Sequence, residues 1–144
     1  MDTELDNPEP VTAARRSGQP TILVCDDDPM IRLFAGKMLQ HLHYAAILTD
    51  SGQAALESYA ADGSAIQAVM LDFRLPDLSA QAVIDRLEAI NPAVRILVCS
   101  GYKSDASLGL TRKTGPLAYL AKPYTMENMS AALVQLLPDI HPVS

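Results

Sequence analysis

The chain of 144 residues is short of cations, of cysteines and of long apolar runs. Its 11 Lys and Arg face 17 Asp and Glu, a formal net charge of −6, and the sequence pI is about 4.8. Binding to a nucleic-acid backbone depends on Lys and Arg displacing counterions, so direct nucleic-acid binding is not expected. No apolar run approaches the roughly 18 residues that a membrane span needs. The acidic, polar opening "MDTELDNPEP" is not built like a secretory signal. Two cysteines without a spacing motif point to a reducing, cytoplasmic compartment. There is no internal repeat and no low-complexity block. What is present is apolar mass: 49% of residues are hydrophobic and the mean hydropathy is +0.10, enough for a core. The length fits one domain.

Residues 1–20 carry three prolines, one glycine and mixed charge, and are expected to form a disordered tail or a linker. From Thr21 the pattern alternates. "TILVC", "YAAILT", "QAVMLD", "VRILVCS" and "LAYLA" predict five strands. "MIRLFAGKMLQHL" predicts a helix with Ile31, Phe34, Ala35, Met38 and Leu42 on one face. "SGQAALESYA" predicts a short helix capped by Ser51. "SAQAVIDRLEAI" predicts a third, with Val83, Leu87 and Ile90 inward. "SDASLGLTRKTG" is a weak fourth, poor in apolar positions and interrupted by Gly109. "TMENMSAALVQLL" predicts a fifth, with Met126, Met129, Leu133 and Leu136 toward the core. Pro138 and Pro142 end the pattern, giving a domain over 21–138 and a short tail over 139–144.

Five strands alternating with five helices predict an α/β, doubly wound parallel sheet covered on both faces. Ligands of such sheets sit beyond the carboxyl ends of the strands. The first strand ends in Asp26 and Asp27, the third in Asp72, the fourth in Ser100, and the fifth in Lys122 followed by Pro123. The second ends in Thr49 and Asp50, which match nothing in this set. Singly, each has an ordinary structural explanation. Asp28 before Pro29 reads as a helix cap followed by proline in the first turn. Asp72 could start a turn, Ser100 could cap a helix and Lys122 could be solvated. Their joint placement points to one site.

Two carboxylates about 4 Å apart repel by roughly 4 kcal/mol at an effective dielectric near 20. Asp26, Asp27 and Asp72 therefore call for a cation, and a hard divalent ion such as Mg²⁺ suits oxygen ligands. An aspartate beside Mg²⁺ and a lysine can act as a nucleophile and form an acyl phosphate. Phosphoryl transfer asks mainly for positioning and charge neutralisation, which Lys122 and Ser100 suit.

The pieces "CDDDPMIR", "VMLDFRLPD", "VCSGY" and "YLAKPY", in that order and spacing, resemble the receiver domain of two-component response regulators, chemotaxis-regulator-like, over Thr21 to Leu137. The resemblance implies a flavodoxin-like receiver fold with strand order 2-1-3-4-5. It implies that Asp72 accepts a phosphoryl group from a phosphohistidine on a histidine kinase or histidine phosphotransfer protein. Asp26, Asp27, Asp72 and the backbone carbonyl of Arg74 would hold Mg²⁺. Ser100 would hydrogen-bond the phosphoryl oxygens and Lys122 would pair with Asp72 or its phosphate. The Lys122–Pro123 bond is usually cis in this family. Tyr119 matches an aromatic switch that turns inward as Ser100 moves, reshaping the face of the fourth helix, fifth strand and fifth helix, where a downstream protein, or a second copy in a homodimer, would bind. A weak fourth helix fits such a switching role. The protein would not be an enzyme beyond catalysing its own phosphorylation and dephosphorylation. It would be a single-domain regulator or the receiver of a hybrid histidine kinase.

The chain departs from the family in places. "LPDLSA" puts Ser79 and Ala80 where an Asp–Gly pair is common, leaving the loop before the third helix without its usual glycine. Arg74 and Tyr102 are bulky at positions that govern water access, which implies slow self-dephosphorylation. His43 stands where glycine is common and reads as a lone surface histidine. In the implied strand order Cys25 and Cys99 lie two strand spacings, about 9.5 Å, apart. That exceeds the roughly 7 Å reach of a disulfide.

Two other functions fit parts of the pattern. A haloacid-dehalogenase-type phosphatase would use Asp26 as nucleophile and Asp28 as general acid. Met30 is atypical of that motif, and only Glu127 and Asp139 follow Lys122 as acids. A receiver-like adaptor that no longer switches is the other, against which the intact acids, Ser100 and Lys122 argue.

Overall fold

Each apolar run becomes a strand because the sheet buries both of its faces. A computed structural model of the chain describes residues 19–101 and 109–140. In order, these form β1 (Thr21–Cys25), α1 (Pro29–His41), β2 (Ala45–Thr49), α2 (Gly52–Asp62), a 3₁₀ turn (Gly63–Ala65), β3 (Ile66–Asp72), α3 (Ala80–Ile90), β4 (Ile96–Ser100), β5 (Ala118–Ala121) and α4 (Met126–Leu136). All pairings are parallel and the sheet order is β2-β1-β3-β4-β5. This is the expected doubly wound receiver topology.

Alternate strand residues feed two cores. Leu23, Val69, Leu71, Ile96 and Val98 pack against α2 and α3, while Ile22, Val24, Met70, Leu97 and Leu120 pack against α1 and α4. Cys25 belongs to the first core and Cys99 to the second, so the two free thiols lie on opposite faces. Burial pushes each thiol up to about 12.

The first two helices start at the expected caps, Asp28 and Ser51, and the structure adds caps at Ser79 and Thr125. The Asp28 carboxylate accepts from the backbone N–H of Met30 (2.9 Å) and Ile31 (3.3 Å), with Pro29 opening the helix. Ser51 and Ser79 accept from Ala54 and Ala82. Thr125 forms a capping box with Asn128.

Three inward residues are corrected. Phe34 is 50% exposed, Ile90 45% and Met126 36%. The buried stripe of α1 runs through Ala35 and Leu39, flanked by Met38 and Leu42, so Phe34 falls to its side. Ile90 and Met126 are terminal residues of their helices, beyond the buried stripes of Val83, Ile84 and Leu87 and of Met129 and Leu133.

The expected fourth helix is corrected in part. Residues 104–108 of that segment lie outside the described residues, and 109–117 are not helical. Gly109 takes a left-handed φ of 81°, and the following N–H groups are committed elsewhere. Thr111 N–H donates to Gln81 Oε1 (2.9 Å), and Gln81 Nε2 donates back to the Thr111 carbonyl (2.9 Å). The Glu88 carboxylate accepts from Thr114 N–H (3.0 Å) and Lys113 N–H (3.4 Å). Leu110 and Leu117 pack onto the α2–α3 core. Donors used this way cannot serve an i to i−4 ladder, and the segment lies as an extended strap on α3.

Candidate functional site

The parallel register brings the strand ends together. Asp26 follows β1, and its N–H donates to the Thr49 carbonyl (3.1 Å), which continues the sheet for one more residue. Asp72 ends β3 opposite Cys99, and Ser100 ends β4 opposite Ala121. Lys122 N–H donates to the Ser100 carbonyl (2.8 Å), fixing where its side chain begins. The Lys122 ammonium then reaches two carboxylates, donating to Asp26 Oδ2 at 2.8 Å and Asp72 Oδ1 at 2.9 Å. Asp26, Asp72 and Ser100 are buried, at 3%, 7% and 6% exposure.

Asp27 completes the acidic group from the exposed side. One carboxylate oxygen from each of Asp26, Asp27 and Asp72 lies within 4.8 Å of the others. Burial raises the Asp72 carboxyl above its ordinary value; Lys122 works against this and Asp26 adds to it. Burial works against the Lys122 ammonium, but its bonds to Asp26 and Asp72 outweigh that and its pKa lies above the usual lysine value. Lys122 thus bonds two of the three acids, and the clustered hard oxygen donors of Asp26, Asp27 and Asp72 fit a divalent ion.

The other sequence-derived residues are distributed around this centre. The backbone N–H of Arg74 donates to the Asp72 carboxylate, and its guanidinium lies 5.7 Å from the Phe73 ring centroid, a cation–π contact. Tyr119 lies on β5 opposite Val98 and is 38% exposed. The Lys122–Pro123 peptide is cis, as the resemblance implied. Tyr102 lies outside the described residues. Asp28 spends Oδ1 on the cap of α1, leaving the phosphatase alternative without its general acid in place. Asp50 is exposed and stands apart from the acidic group.

Two residues were missed in the sequence. Arg32 Nη1 donates to the Asp26 carbonyl (2.8 Å), tying the acid-bearing turn to α1. Asp77 accepts from the N–H groups of Gly52 and Gln53, both at 2.9 Å, joining the loop after Asp72 to α2. The aspartate after Pro76 was a visible turn signal, but its partner on α2 was not.

An acidic cluster at the carboxyl ends of adjacent parallel strands, met by a lysine just past β5, defines a class of α/β domain with a carboxylate-rich site at its sheet edge. Residues 22–134 match the family model of the response regulator receiver domain. The chain belongs to that family and is a receiver domain of two-component signalling. It is 31% identical over 122 residues to the transcriptional regulatory protein ZraR of Escherichia coli K12, covering 85% of this chain and 27% of that protein. The chain thus spans about a quarter of that relative. It resembles a response regulator receiver protein from Sinorhizobium medicae at 27% identity and TM-score 0.72, covering 85% of this chain and 98% of that one. The receiver domain of sensor histidine kinase PA1611 from Pseudomonas aeruginosa, with a magnesium ion in its active-site cleft, shares the fold at 23% identity and TM-score 0.73, covering 83% and 98%.

Proposed function

We propose that Asp72 accepts a phosphoryl group from a phosphohistidine and that the modified chain then offers a changed surface to a protein partner. The observation that carries this is the Lys122 bridge between Asp26 and Asp72, with Asp27 beside it. An Asp72 oxygen attacks phosphorus, the N–P bond of the donor breaks, and the imidazole leaves with the electron pair and takes a proton. Asp26, Asp27, Asp72 and the Arg74 carbonyl would hold Mg²⁺, which supplies positive charge for the phosphoryl oxygens. Lys122 keeps one ammonium against the reacting carboxylate. Ser100, at the neighbouring strand end, takes up a phosphoryl oxygen through its hydroxyl. Tyr119 follows Ser100 inward, altering the surface of β5 and α4 where a target binds or a second copy pairs.

The donor is a histidine kinase or a histidine phosphotransfer protein. Met30, Leu33 and Phe34 are exposed, spaced to share one side of α1, and begin four residues after Asp26. Apolar surface this close to the site supports docking of a protein donor. Cytoplasmic signalling through protein partners fits the acidic charge and the free thiols, and no helix among the described residues is long and apolar enough to cross a membrane.

The test is intact-protein mass after incubation with acetyl phosphate, with and without Mg²⁺, on wild type and Asp72→Ala. One added phosphoryl group that needs both Mg²⁺ and Asp72 is expected. No adduct would leave a non-switching adaptor. Free phosphate released in dependence on Asp26 would revive the phosphatase.

A further inference from the structure

We infer that Asp77 is a positioning residue for the divalent-cation site, tying the loop after Asp72 to α2 so that the Arg74 carbonyl stays in place. This rests on the proposed role of Asp26, Asp27 and Asp72.

The loop from residue 73 to 79 is fastened at both ends. At its start, Phe73 N–H donates to the Cys99 carbonyl (2.8 Å). At its far end, Ser79 caps α3. Between them Asp77, which is not part of the acidic cluster, takes two backbone N–H groups, Gly52 on Oδ1 and Gln53 on Oδ2. These are the first two residues of α2, whose N–H groups have no partner within the helix. Those bonds hold the Asp77 carboxyl below its usual value, against the opposing effect of burial. The approach is close: a Cβ on Gly52 would stand 3.0 Å from Val83 Cγ2 and 3.1 Å from Leu78 Cδ1. A side chain at Gly52 would push on Val83 and Leu78 and shift the start of α2, whose N–H groups reach Asp77.

Arg74 lies one residue after the Phe73 fastening and three before Asp77, with its own N–H on the Asp72 carboxylate, so its carbonyl is oriented from the start of the loop and by the path the chain takes to Asp77. Supporting residues of this kind typically change metal affinity by roughly tenfold or more when removed. Asp77 is exposed, so its replacement leaves the core intact.

The experiment is calorimetric titration of Mg²⁺ into wild type, Asp77→Ala, Asp77→Asn, Gly52→Ala, Asp27→Asn and Asn91→Ala, with urea midpoints for each. Asn91→Ala is the structural control, because it removes the bond to the Tyr59 hydroxyl (2.9 Å) just beyond the far end of α3. Expected is a Kd for Mg²⁺ raised about tenfold in Asp77→Ala. Asp77→Asn, with one acceptor oxygen left, recovers part of the loss, Gly52→Ala weakens binding in the same direction, and Asn91→Ala matches wild type. The Mg²⁺ concentration for half-maximal labelling of Asp72 by acetyl phosphate rises with the Kd, while the plateau at saturating Mg²⁺ is kept. An unchanged Kd in Asp77→Ala, or an equal rise in Asn91→Ala, overturns the inference. Mg²⁺ binding that is not weakened in Asp27→Asn overturns the cation site itself, and this inference with it.

Discussion

Lys122 holds two carboxylates on one ammonium, and that pair of bonds closes one side of the acidic cluster. Its neighbours explain why it can: the parallel register puts Asp72, Ser100 and Lys122 at the ends of β3, β4 and β5. His43 shows the opposite case, a residue whose backbone is at odds with its side chain. It sits just past α1 at a φ of 72° and is exposed. A left-handed backbone costs a residue with a Cβ about 1–2 kcal/mol, and glycine escapes most of that. His43→Gly is therefore expected to stabilise the fold by about 1 kcal/mol, read as a higher urea midpoint at unchanged slope. The expectation of a lone surface histidine agrees with its exposure, and the strained φ accounts for glycine being common there.

At the scale of elements, the strap over residues 109–117 and the outer side of α1 carry separate predictions. Glu88 is buried at the end of α3 and accepts from Arg112 Nε (2.9 Å) and from Thr114 Oγ1 (2.6 Å) and N–H (3.0 Å). Arg112 goes on to the carbonyls of Pro92 and Pro116. The Thr114 hydroxyl, with Arg112, holds the Glu88 carboxyl down at about 2 against 4.5 for a free one. A depressed carboxyl stabilises the fold above its unfolded value, and that contribution is lost as pH falls from about 4.5 toward 2. Urea midpoints measured from pH 6 to pH 3 should fall for wild type, and Glu88→Gln should flatten part of that fall while lowering the midpoint at pH 6. On α1, Phe34→Asp should slow phosphotransfer from a protein donor tenfold or more, on the order of an interface anchor worth about 2 kcal/mol. Labelling by acetyl phosphate should stay as in wild type, because the small donor needs no docking surface.

For the whole molecule, the sheet concentrates negative charge at one edge while its two cores hold that edge rigid. A ligand that binds only the folded state stabilises it, by about 2.7 kcal/mol at 100 times its Kd. Mg²⁺ at such a concentration is thus expected to raise the urea midpoint of wild type, and a chelator to reverse the rise. Asp27→Asn should weaken the response without lowering the midpoint in the absence of Mg²⁺, since Asp27 is exposed and stands beside two other carboxylates there.

The order of apolar runs, the caps at Asp28 and Ser51 and the strand-end acids were legible because each depends on residues close in sequence. Strand order was legible only through the resemblance, since apolar runs do not say which strand pairs with which. The helix faces were read imperfectly: Phe34, Ile90 and Met126 satisfy a 3.6-residue period, but the tilt of a helix against the sheet decides which edge of its stripe is covered. The strap was illegible, because it exists through bonds from Gln81 and Glu88 to backbone some 25 to 30 residues away. Arg32 and Asp77 escaped for the same reason, each reaching backbone that the chain alone does not place beside it. The sequence by itself determined which groups stand at the strand ends. The tertiary structure decided which of them share Lys122 and how the loop after Asp72 is held, because both rest on contacts between segments that only the packed sheet brings together.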